Sequence, residues 1–439
     1  MARAGGTDAP QWVVRHACFV DPRIRRDVDA LCAFEERLPG TDAERRAANH
    51  VAAELRSAGR PAAVEPTYVQ PQWAAVHSLH CAIAAIGSMV ATLEPAVGFA
   101  LVLIAATSAY LDLSARHYLI RRLLFRRASQ NLYSRATRTS ATADRVVLCA
   151  NLDAPRTGAA YNPFPVRVLN AATKRFRVAA SPTRIWFWSI ALLLPPLGVR
   201  MAGLDPGWLA ILQLPQTLLL IGAAVLLGEI ALSPASPGAN ANASGVAAVL
   251  SAARRLDADP PAHVAVDVAI CGAGETTMQG MRSLVRTHRR DLDRSRTCFV
   301  SLESVGRGDP RYLTSQGLAV SLPFSPDLVG LCEAIEIADG GERLRPASRR
   351  DGGISAACVA RAYGFPAMAI TSREGQEAVP TGHHTPGDTP DEIDPDAIER
   401  AASFAAELVH LLDRDLARAA GEREPAASPA AAPAATSAG

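Results

Sequence analysis

Five short stretches of this 439-residue sequence carry side chains that could do chemistry. They place carboxylates and imidazoles where apolar runs end or helices begin, and such groups bind zinc or transfer protons in proteins. One of them, a Gly/Pro/Asn turn that runs into a helix, presents only the methyl group of Ala241 at its centre. The stretches are VLCANLD (147–153), SPGANANASGVAAVL (236–250), CGAGETTMQG (271–280), SLESVG (301–306) and GHHTPGD (382–388).

Alternating strand and helix signals position these stretches and predict an α/β layer architecture. The predicted strands cover 145–150, 263–271, 298–302, 317–322 and 367–371. Predicted helices cover 43–58, the residues after Asn242, which is a plausible N-cap, and a last helix that starts at Asp394 and Pro395. That last helix carries one apolar face, formed by Ile398, Ala401, Ala405, Leu408 and Leu412.

The chemical stretches resemble, in chain order, the zinc aminopeptidase family that includes bacterial leucyl aminopeptidases, glutamate carboxypeptidase and glutaminyl cyclase. GANANASG is similar to that family's G-A-N-D-N-x-S-G turn, and 29–59, with its R-x-x-G-T turn, resembles the family's leading helix segment. NLY (131–133) and GFPAMAI (364–370) also match in order. The resemblance covers roughly 28–70 and 130–415, and it implies a mixed central sheet flanked by helices, with two transmembrane helical hairpins inserted.

In that family, two zinc ions are held by a His from an H-x-D motif, a bridging Asp, a Glu, a further Asp and a late His, while another Glu is the general base. Carried over to this sequence, the H-x-D imidazole becomes the carboxamide of Asn151, and the bridging carboxylate becomes Ala241. The general-base position is Gly274. The resemblance leaves Asp153, which would orient the lost imidazole, and Asp388 as neighbours of the site.

Three ligands of the family set remain as candidates: Glu275, Glu303, which replaces an Asp, and His384. Since a bridge, an imidazole and the base are all absent, the resemblance predicts no intact catalytic residue and no zinc, or at most one. Glu275 and His384 are otherwise expected to be hydrogen-bonded residues at strand and loop ends. His383 is expected at the surface, and Asp388 is expected to fix its loop through bonds to backbone groups.

Four apolar runs are long enough to cross a bilayer, at about 73–92, 95–113, 185–204 and 208–232. The first contains His77 and His80 and is also compatible with a buried or interfacial helix. Basic residues flank one side of both hairpins, so the soluble part is expected on the cytoplasmic face of a bacterial inner membrane. The cluster from Arg116 to Arg127 predicts contact with anionic lipid.

Composition excludes a disordered chain, because 49% of the residues are apolar, and the net charge of +2 gives no sign of nucleic-acid binding. Eight scattered cysteines predict reduced core thiols. The expected organisation is an N-terminal segment (1–27), a discontinuous aminopeptidase-like domain (28–70, 130–180 and 236–415), hairpins at 73–113 and 185–232, and a disordered Ala/Pro-rich tail (421–439).

Together these features predict a membrane protein whose cytoplasmic aminopeptidase-like domain is a noncatalytic binding or scaffold domain, with a peptide or protein as partner. One alternative is an active membrane-tethered metallo-aminopeptidase that uses a rearranged single-zinc site on Glu275, Glu303 and His384. A third reading makes the spans the functional part, as a transporter accessory.

Overall fold

The computed structural model describes residues 21–137, 144–176, 181–375, 377–380 and 382–421. Within these ranges the chain forms an α/β part, built on one nine-stranded sheet, and a bundle of long apolar helices inserted into it. The predicted fold class, a mixed sheet flanked by helices, is confirmed. The tail beyond Gly421 and the first twenty residues lie outside the described ranges.

The sheet has parallel strands at its centre and antiparallel strands at its edges. Its strands are β1 (Ala63–Val69), β2 (Arg127–Ser134), β3 (Asp144–Asn151), β4 (Val264–Cys271), β5 (Thr297–Leu302), β6 (Asp309–Gln316), β7 (Leu322–Pro323), β8 (Ala347–Arg350) and β9 (Ala367–Arg373). The order is β1-β2-β4-β3-β5-β9-β6-β7, with β8 paired to β6. The neighbours β4, β3, β5 and β9 are parallel, so their carboxyl ends meet at one edge, where ligands bind in open α/β sheets.

The α/β part contains eight described helices, most of which pack around the sheet and bury its central strands. They are α1 (Arg23–Cys32), α2 (Asp42–Ser57), α5 (Pro163–Phe176), α8 (Ser244–Ala258), α9 (Gln279–His288), α10 (Pro326–Asp339), α11 (Ala356–Ala362) and α12 (Pro395–Gly421). α8 packs against α1 and α12, whereas α11 packs against α9. Every residue of the apolar strand β4 is buried, as expected for a strand covered on both faces.

Two local predictions are wrong for reasons of tertiary packing. The segment 317–321 is a loop and not a strand, because Leu318 and Ala319 pack against the inserted helices instead of joining the sheet. Asn242 does not cap α8, since a π-helical turn (Ala239–Ala243) precedes Ser244 and the Asn242 side chain binds groups of the candidate site. The other four predicted strands correspond to β3, β4, β5 and β9.

The inserted helices form two antiparallel hairpins that pack into one bundle. They are α3 (Trp73–Val90), α4 (Pro95–Leu113), α6 (Pro182–Met201) and α7 (Trp208–Leu232). α3 packs on both α4 and α7, and α4 also packs on α6. The Ser88 and Thr217 hydroxyls are 2.6 Å apart and join α3 to α7, so buried polar groups in the bundle find partners across helices.

Three described helices, α3, α4 and α7, are long and apolar enough to cross a membrane. α3 is among them although its histidines made it the weakest candidate in the sequence. α6 does not meet the same criteria of length and composition, so three of the four predicted spans are supported. The physical reason lies in α6 itself, which contains Arg184, Arg200 and two adjacent prolines, Pro195 and Pro196.

The close approach of α3 and α4 predicts a strong sensitivity to side-chain size at Gly98. A Cβ atom there would lie 2.4 Å from both the Gly87 carbonyl oxygen and the Ala91 Cβ atom. We expect Gly98→Ala to lower the free energy of unfolding by about 1–3 kcal/mol, because such tightly packed helices cannot absorb a methyl group. Thermal unfolding in detergent measures this. The control is Gly222→Ala in α7, where nothing lies within 4 Å, and equal stability of both variants would contradict the prediction.

Candidate functional site

A cavity of about 230 Å³ lies at the carboxyl edge of the central strands, where the sheet meets the bundle. It brings together all six positions at which the resemblance places a zinc ligand or the general base: Asn151, Ala241, Gly274, Glu275, Glu303 and His384. Its opposite wall comes from the bundle, through Trp73 and His77 at the start of α3. The structure therefore brings the chemical stretches together around one cavity, and it adds a wall of inserted helices that the sequence did not indicate.

Asn151, the last residue of β3, occupies the space beside Gly274. A Cβ atom on Gly274 would lie 2.3 Å from Asn151 Cγ, 2.6 Å from its Oδ1 and 2.8 Å from its Cβ. The Asn151 Oδ1 atom is buried and has no hydrogen-bond partner among the described residues. The general-base position thus lacks a carboxylate and also lacks the room for one, since the amide that replaces the imidazole fills it.

The turn that carries Ala241 is held by a carboxyl group. Asp388 accepts the Asn240 N–H at 2.7 Å and the Ala241 N–H at 3.1 Å. The Asp388 backbone carbonyl also accepts the Ala239 N–H at 3.1 Å. Asp388 was expected to fix its own loop through bonds to backbone groups, whereas its side chain binds the backbone of the Ala241 turn.

Asp153 is fully buried and joins two loops of the site. Its carboxylate accepts the Gly274 N–H at 2.7 Å and the Glu275 N–H at 2.9 Å. The Asn242 side-chain amide donates to the Asp153 carbonyl oxygen and, at 2.9 Å, to the Glu275 carboxylate. Although Asp153 has no imidazole to orient, it positions the loop that carries Glu275.

Two of the remaining candidate ligands are adjacent. Glu275 Oε2 lies 3.6 Å from His384 Nε2. The His384 ring stacks on His383, with ring centroids 3.7 Å apart, and lies 4.6 Å from the Tyr161 ring. The expected surface position of His383 is wrong, because this ring is partly buried and lines the cavity.

Glu303 lies apart from that pair and is engaged by its own surroundings. Its Oε1 atom accepts the Ser301 hydroxyl at 2.6 Å and the Ala356 N–H at 2.9 Å. Within the described ranges, no group of three or more His, Cys, Asp or Glu side chains is arranged to hold a metal ion. The residues present therefore do not fit the family's pair of zinc ions, since the bridge is a methyl group and the imidazole position is an amide.

Burial controls the protonation of the site. It raises the pKa of Glu275 to about 7, and the nearby Glu303 carboxyl adds to the shift while the Asn242 hydrogen bond opposes it. It also raises the pKa of Glu303 to about 7 and lowers the pKa of the His384 imidazole to about 3. Near neutral pH, His384 is therefore uncharged, and the two glutamates exchange protons with solvent.

Backbone strain is concentrated in the same loops. Eight described non-glycine residues have a positive φ, and five of them lie at the site: Ala273, Thr277, Met278, Ser304 and His384. Such conformations persist only where surrounding contacts fix them, and they cluster at functional sites. The carboxylate bonds from Asp153 and Asp388 to backbone amides are contacts of this kind.

Four residues that support or line the site did not stand out in the sequence. Arg37 of the R-x-x-G-T turn donates to the Leu152 carbonyl at 2.7 Å. Glu44 accepts the Ala273 N–H at 2.8 Å. The T-x-x-E capping pattern that it forms with Thr41 is the sequence feature that could have drawn attention to it. Tyr161 and Arg373 line the cavity without any motif.

The sheet order, the flanking helices and the cavity at the strand ends define an α/β fold of the zinc-exopeptidase type. A similar fold is found in a glutaminyl cyclase from Bacteroides thetaiotaomicron, with a TM-score of 0.51 and 15% identity over 89% of this chain and 98% of that chain. It is also found in a leucine aminopeptidase precursor from the same organism, with a TM-score of 0.50 and 15% identity over 92% of this chain and 98% of that chain. The LapA aminopeptidase of Legionella pneumophila is similar as well, with a TM-score of 0.51 and 11% identity over 94% of this chain and 78% of that chain. At these identities the likeness establishes the fold alone.

Sequence comparison finds one family model that matches part of the chain. Residues 227–409 match the model of peptidase family M28, which confirms the predicted resemblance over that part of the chain. None of the curated protein sequences gives a significant match. The matched region contains Ala241, Gly274, Glu275, Glu303 and His384, whereas Asn151 lies before it.

The crowding at Gly274 predicts a coupled pair of substitutions. Gly274→Ala should lower the free energy of unfolding by about 1–3 kcal/mol through overpacking against Asn151. Asn151→Ala alone should lower the free energy of unfolding by less. The double variant Asn151→Ala/Gly274→Ala should regain a large part of the stability lost in Gly274→Ala, because Asn151→Ala removes the clashing amide. Thermal or denaturant unfolding in detergent measures the cycle.

Gly330→Ala in α10 is the matched control, since a Cβ atom there meets nothing within 4 Å. This control should be neutral or slightly stabilising, as alanine is the better helix former. Strictly additive effects at Asn151 and Gly274 would show that the two positions do not compete for the same space.

Proposed function

We propose that this protein is a membrane-anchored chain whose M28-like α/β part binds a ligand in the strand-end cavity without hydrolysing it. The observation that carries the proposal is the contact between Asn151 and Gly274, because a carboxylate at Gly274 could not fit beside that amide. Water activation by a general base at this position is therefore blocked by packing as well as by the missing group. The loss of the bridging carboxylate at Ala241 supports the same conclusion.

A peptide-like zwitterion suits the groups that face this cavity. Arg373 lines it, is largely buried, and has a buried Nε atom without a hydrogen-bond partner among the described residues. Glu275, Glu303 and Asp351 line the same cavity. A ligand with a carboxylate and an ammonium group would find partners for both, since guanidinium binds carboxylates with paired hydrogen bonds and buried carboxylates bind cations.

A rearranged single-zinc aminopeptidase is the second candidate function, and one contact favours it. Glu275 and His384 are adjacent and face the same cavity, and the His384 Nδ1 atom has no hydrogen-bond partner in the described part of the chain. Against it, Glu303 is bonded to Ser301 and to the Ala356 N–H and would have to break away to become a third ligand.

Zinc content and turnover distinguish the two candidates. We expect detergent-purified full-length protein to retain substoichiometric zinc after incubation with the metal, and to hydrolyse aminoacyl fluorogenic substrates no faster than a buffer blank. Glu275→Ala and His384→Ala should leave both readouts unchanged, because neither group serves a catalytic ion in the noncatalytic reading.

The control is His288→Ala, because His288 forms a comparable pair with Glu65, at 3.0 Å, away from the cavity. Zinc-dependent hydrolysis that disappears in Glu275→Ala and His384→Ala but persists in His288→Ala would replace the noncatalytic proposal with the single-zinc enzyme.

We further propose that the α/β part lies on the cytoplasmic side of the inner membrane. Both hairpins leave the α/β part and return to it, so their turns, around Leu93 and Asp205, lie at the far end of the bundle. The near side carries the basic segment from Arg116 to Arg127, which favours the cytoplasm by the positive-inside rule.

Single introduced cysteines test this orientation. Leu93 is 85% exposed, whereas Glu342 is an exposed residue of the α/β part after α10. In a background with Cys18 and Cys32 changed to Ser, Leu93→Cys should react with an impermeant maleimide from outside the cell, and Glu342→Cys only in inverted vesicles. The remaining cysteines, which include Cys358, are buried and should contribute little. The reverse labelling pattern would invert the topology.

A further inference from the structure

Two adjoining pockets on the α/β part, apart from the strand-end cavity, are lined by arginines. Their volumes are about 470 and 360 Å³. They share three arginines, from two different segments of the chain: Arg122, Arg282 and Arg286. Arg126 and Arg289 line the first pocket and Arg116 the second, and no Asp or Glu among the described residues lines either one.

We call these two adjoining pockets the arginine pocket. Its arginines come from two elements of the fold. The first is the segment that follows α4 and contributes Arg116, Arg122 and Arg126. The second is the edge of α9, where Arg282, Arg286 and Arg289 follow the i, i+4, i+7 spacing that places side chains on one helix face. Like charges at this spacing repel each other, and no side chain of a described Asp or Glu forms an ion pair with any of the three arginines.

Most of these guanidinium groups have no partner among the described residues. Arg122, Arg126, Arg286 and Arg289 are exposed, and none of their side chains has a hydrogen bond or ion pair with another described residue. Arg282 differs, because it is held in place. It donates to the Arg116 carbonyl at 2.8 Å and to the Tyr363 hydroxyl at 3.2 Å, and it lies 4.4 Å from the Tyr118 ring centroid.

Exposed apolar side chains alternate with the arginines after α4. Leu123 is 82% exposed and Phe125 is 60% exposed, and Leu119 also faces solvent. This segment starts just after Leu113, the end of an apolar helix that is long enough to cross a membrane. Such a mixture of arginine, leucine and phenylalanine beside a span suits the headgroup layer, where apolar groups enter the lipid and cations meet phosphates.

We propose that the arginine pocket binds a phospholipid headgroup that carries two phosphates. Five unopposed or preorganised guanidinium groups on two walls match two phosphate groups better than one, since each phosphate accepts paired hydrogen bonds from arginine. The proposal concerns a site separate from the strand-end cavity, and it extends the expected lipid contact of Arg116 to Arg127 to the arginines of α9.

Binding to detergent-purified full-length protein tests the site with three probes: tetraoleoyl diphosphatidylglycerol, dioleoyl phosphatidylglycerol and inorganic pyrophosphate. We expect the two-phosphate lipid to raise the unfolding temperature saturably and to bind more tightly than the one-phosphate lipid. Arg122→Gln/Arg286→Gln should weaken its apparent affinity by about tenfold or more, because two guanidinium contacts are lost.

The charge-matched control is Arg290→Gln/Arg350→Gln, which removes two exposed arginines that do not line the pocket. Equal affinity of both double variants for the two-phosphate lipid, or no saturable binding by wild type, overturns the proposal. Pyrophosphate binding with the same arginine dependence, but without lipid binding, overturns the lipid source and leaves a soluble bisphosphate.

A second variant keeps the test valid if the glutamine variant fails to fold. Arg122→Lys/Arg286→Lys preserves the charge but removes the forked donors, so it should lose severalfold in apparent affinity for the two-phosphate lipid. Wild-type affinity in this folded variant would show that the pocket responds to net charge alone, and it would overturn the proposed recognition of paired phosphates.

Discussion

Bonds between buried carboxylates and backbone amides are the interaction on which the candidate site depends. Asp153 holds the loop after β4, Asp388 holds the turn before α8, and Glu44 reaches the first of these loops from α2. These bonds satisfy backbone amides that would otherwise be buried without partners. They also restrain the loop in which Ala273, Thr277 and Met278 have a positive φ. These contacts between carboxyl groups and backbone amides therefore help to fix the shape of the cavity.

The hydrogen bonds that hold these loops involve backbone groups and do not depend on the side chains at the bridging-ligand and general-base positions. The amide of Ala241, and not its side chain, is what Asp388 binds, so a methyl group at this position leaves the turn intact. At Gly274 the backbone N–H is bound by Asp153, which again makes no demand on the side chain. Burial raises the pKa values of Glu275 and Glu303 to about 7, so near neutral pH each carboxyl is only partly ionised.

Four of the predicted strands are present in the fold, because each combines an apolar run with turn residues at its end, and these are local features of the sequence. Prediction from the sequence failed where distant contacts decide the outcome. The apolar pattern around Leu318 looked like a strand, but its burial partner is the helical bundle. Asn242 looked like a helix cap, yet its amide is bound by Asp153 and Glu275. The spacing of the arginines at 282, 286 and 289 can be read in the sequence, but only the fold shows that they line the same pocket as Arg122.

The bundle of apolar helices also contributes to the candidate site. Arg121 pairs with Asp112 at the end of α4, at 2.6 Å, and the same guanidinium donates to the Thr276 carbonyl at 3.4 Å. Thr276 directly follows Glu275, so one buried ion pair connects the apolar helix α4 to the loop of the candidate site. Breaking such a pair would leave an uncompensated buried charge and would be strongly destabilising. Since Trp73 and His77 form a wall of the same cavity, a ligand bound there touches the inserted helices and the α/β part together.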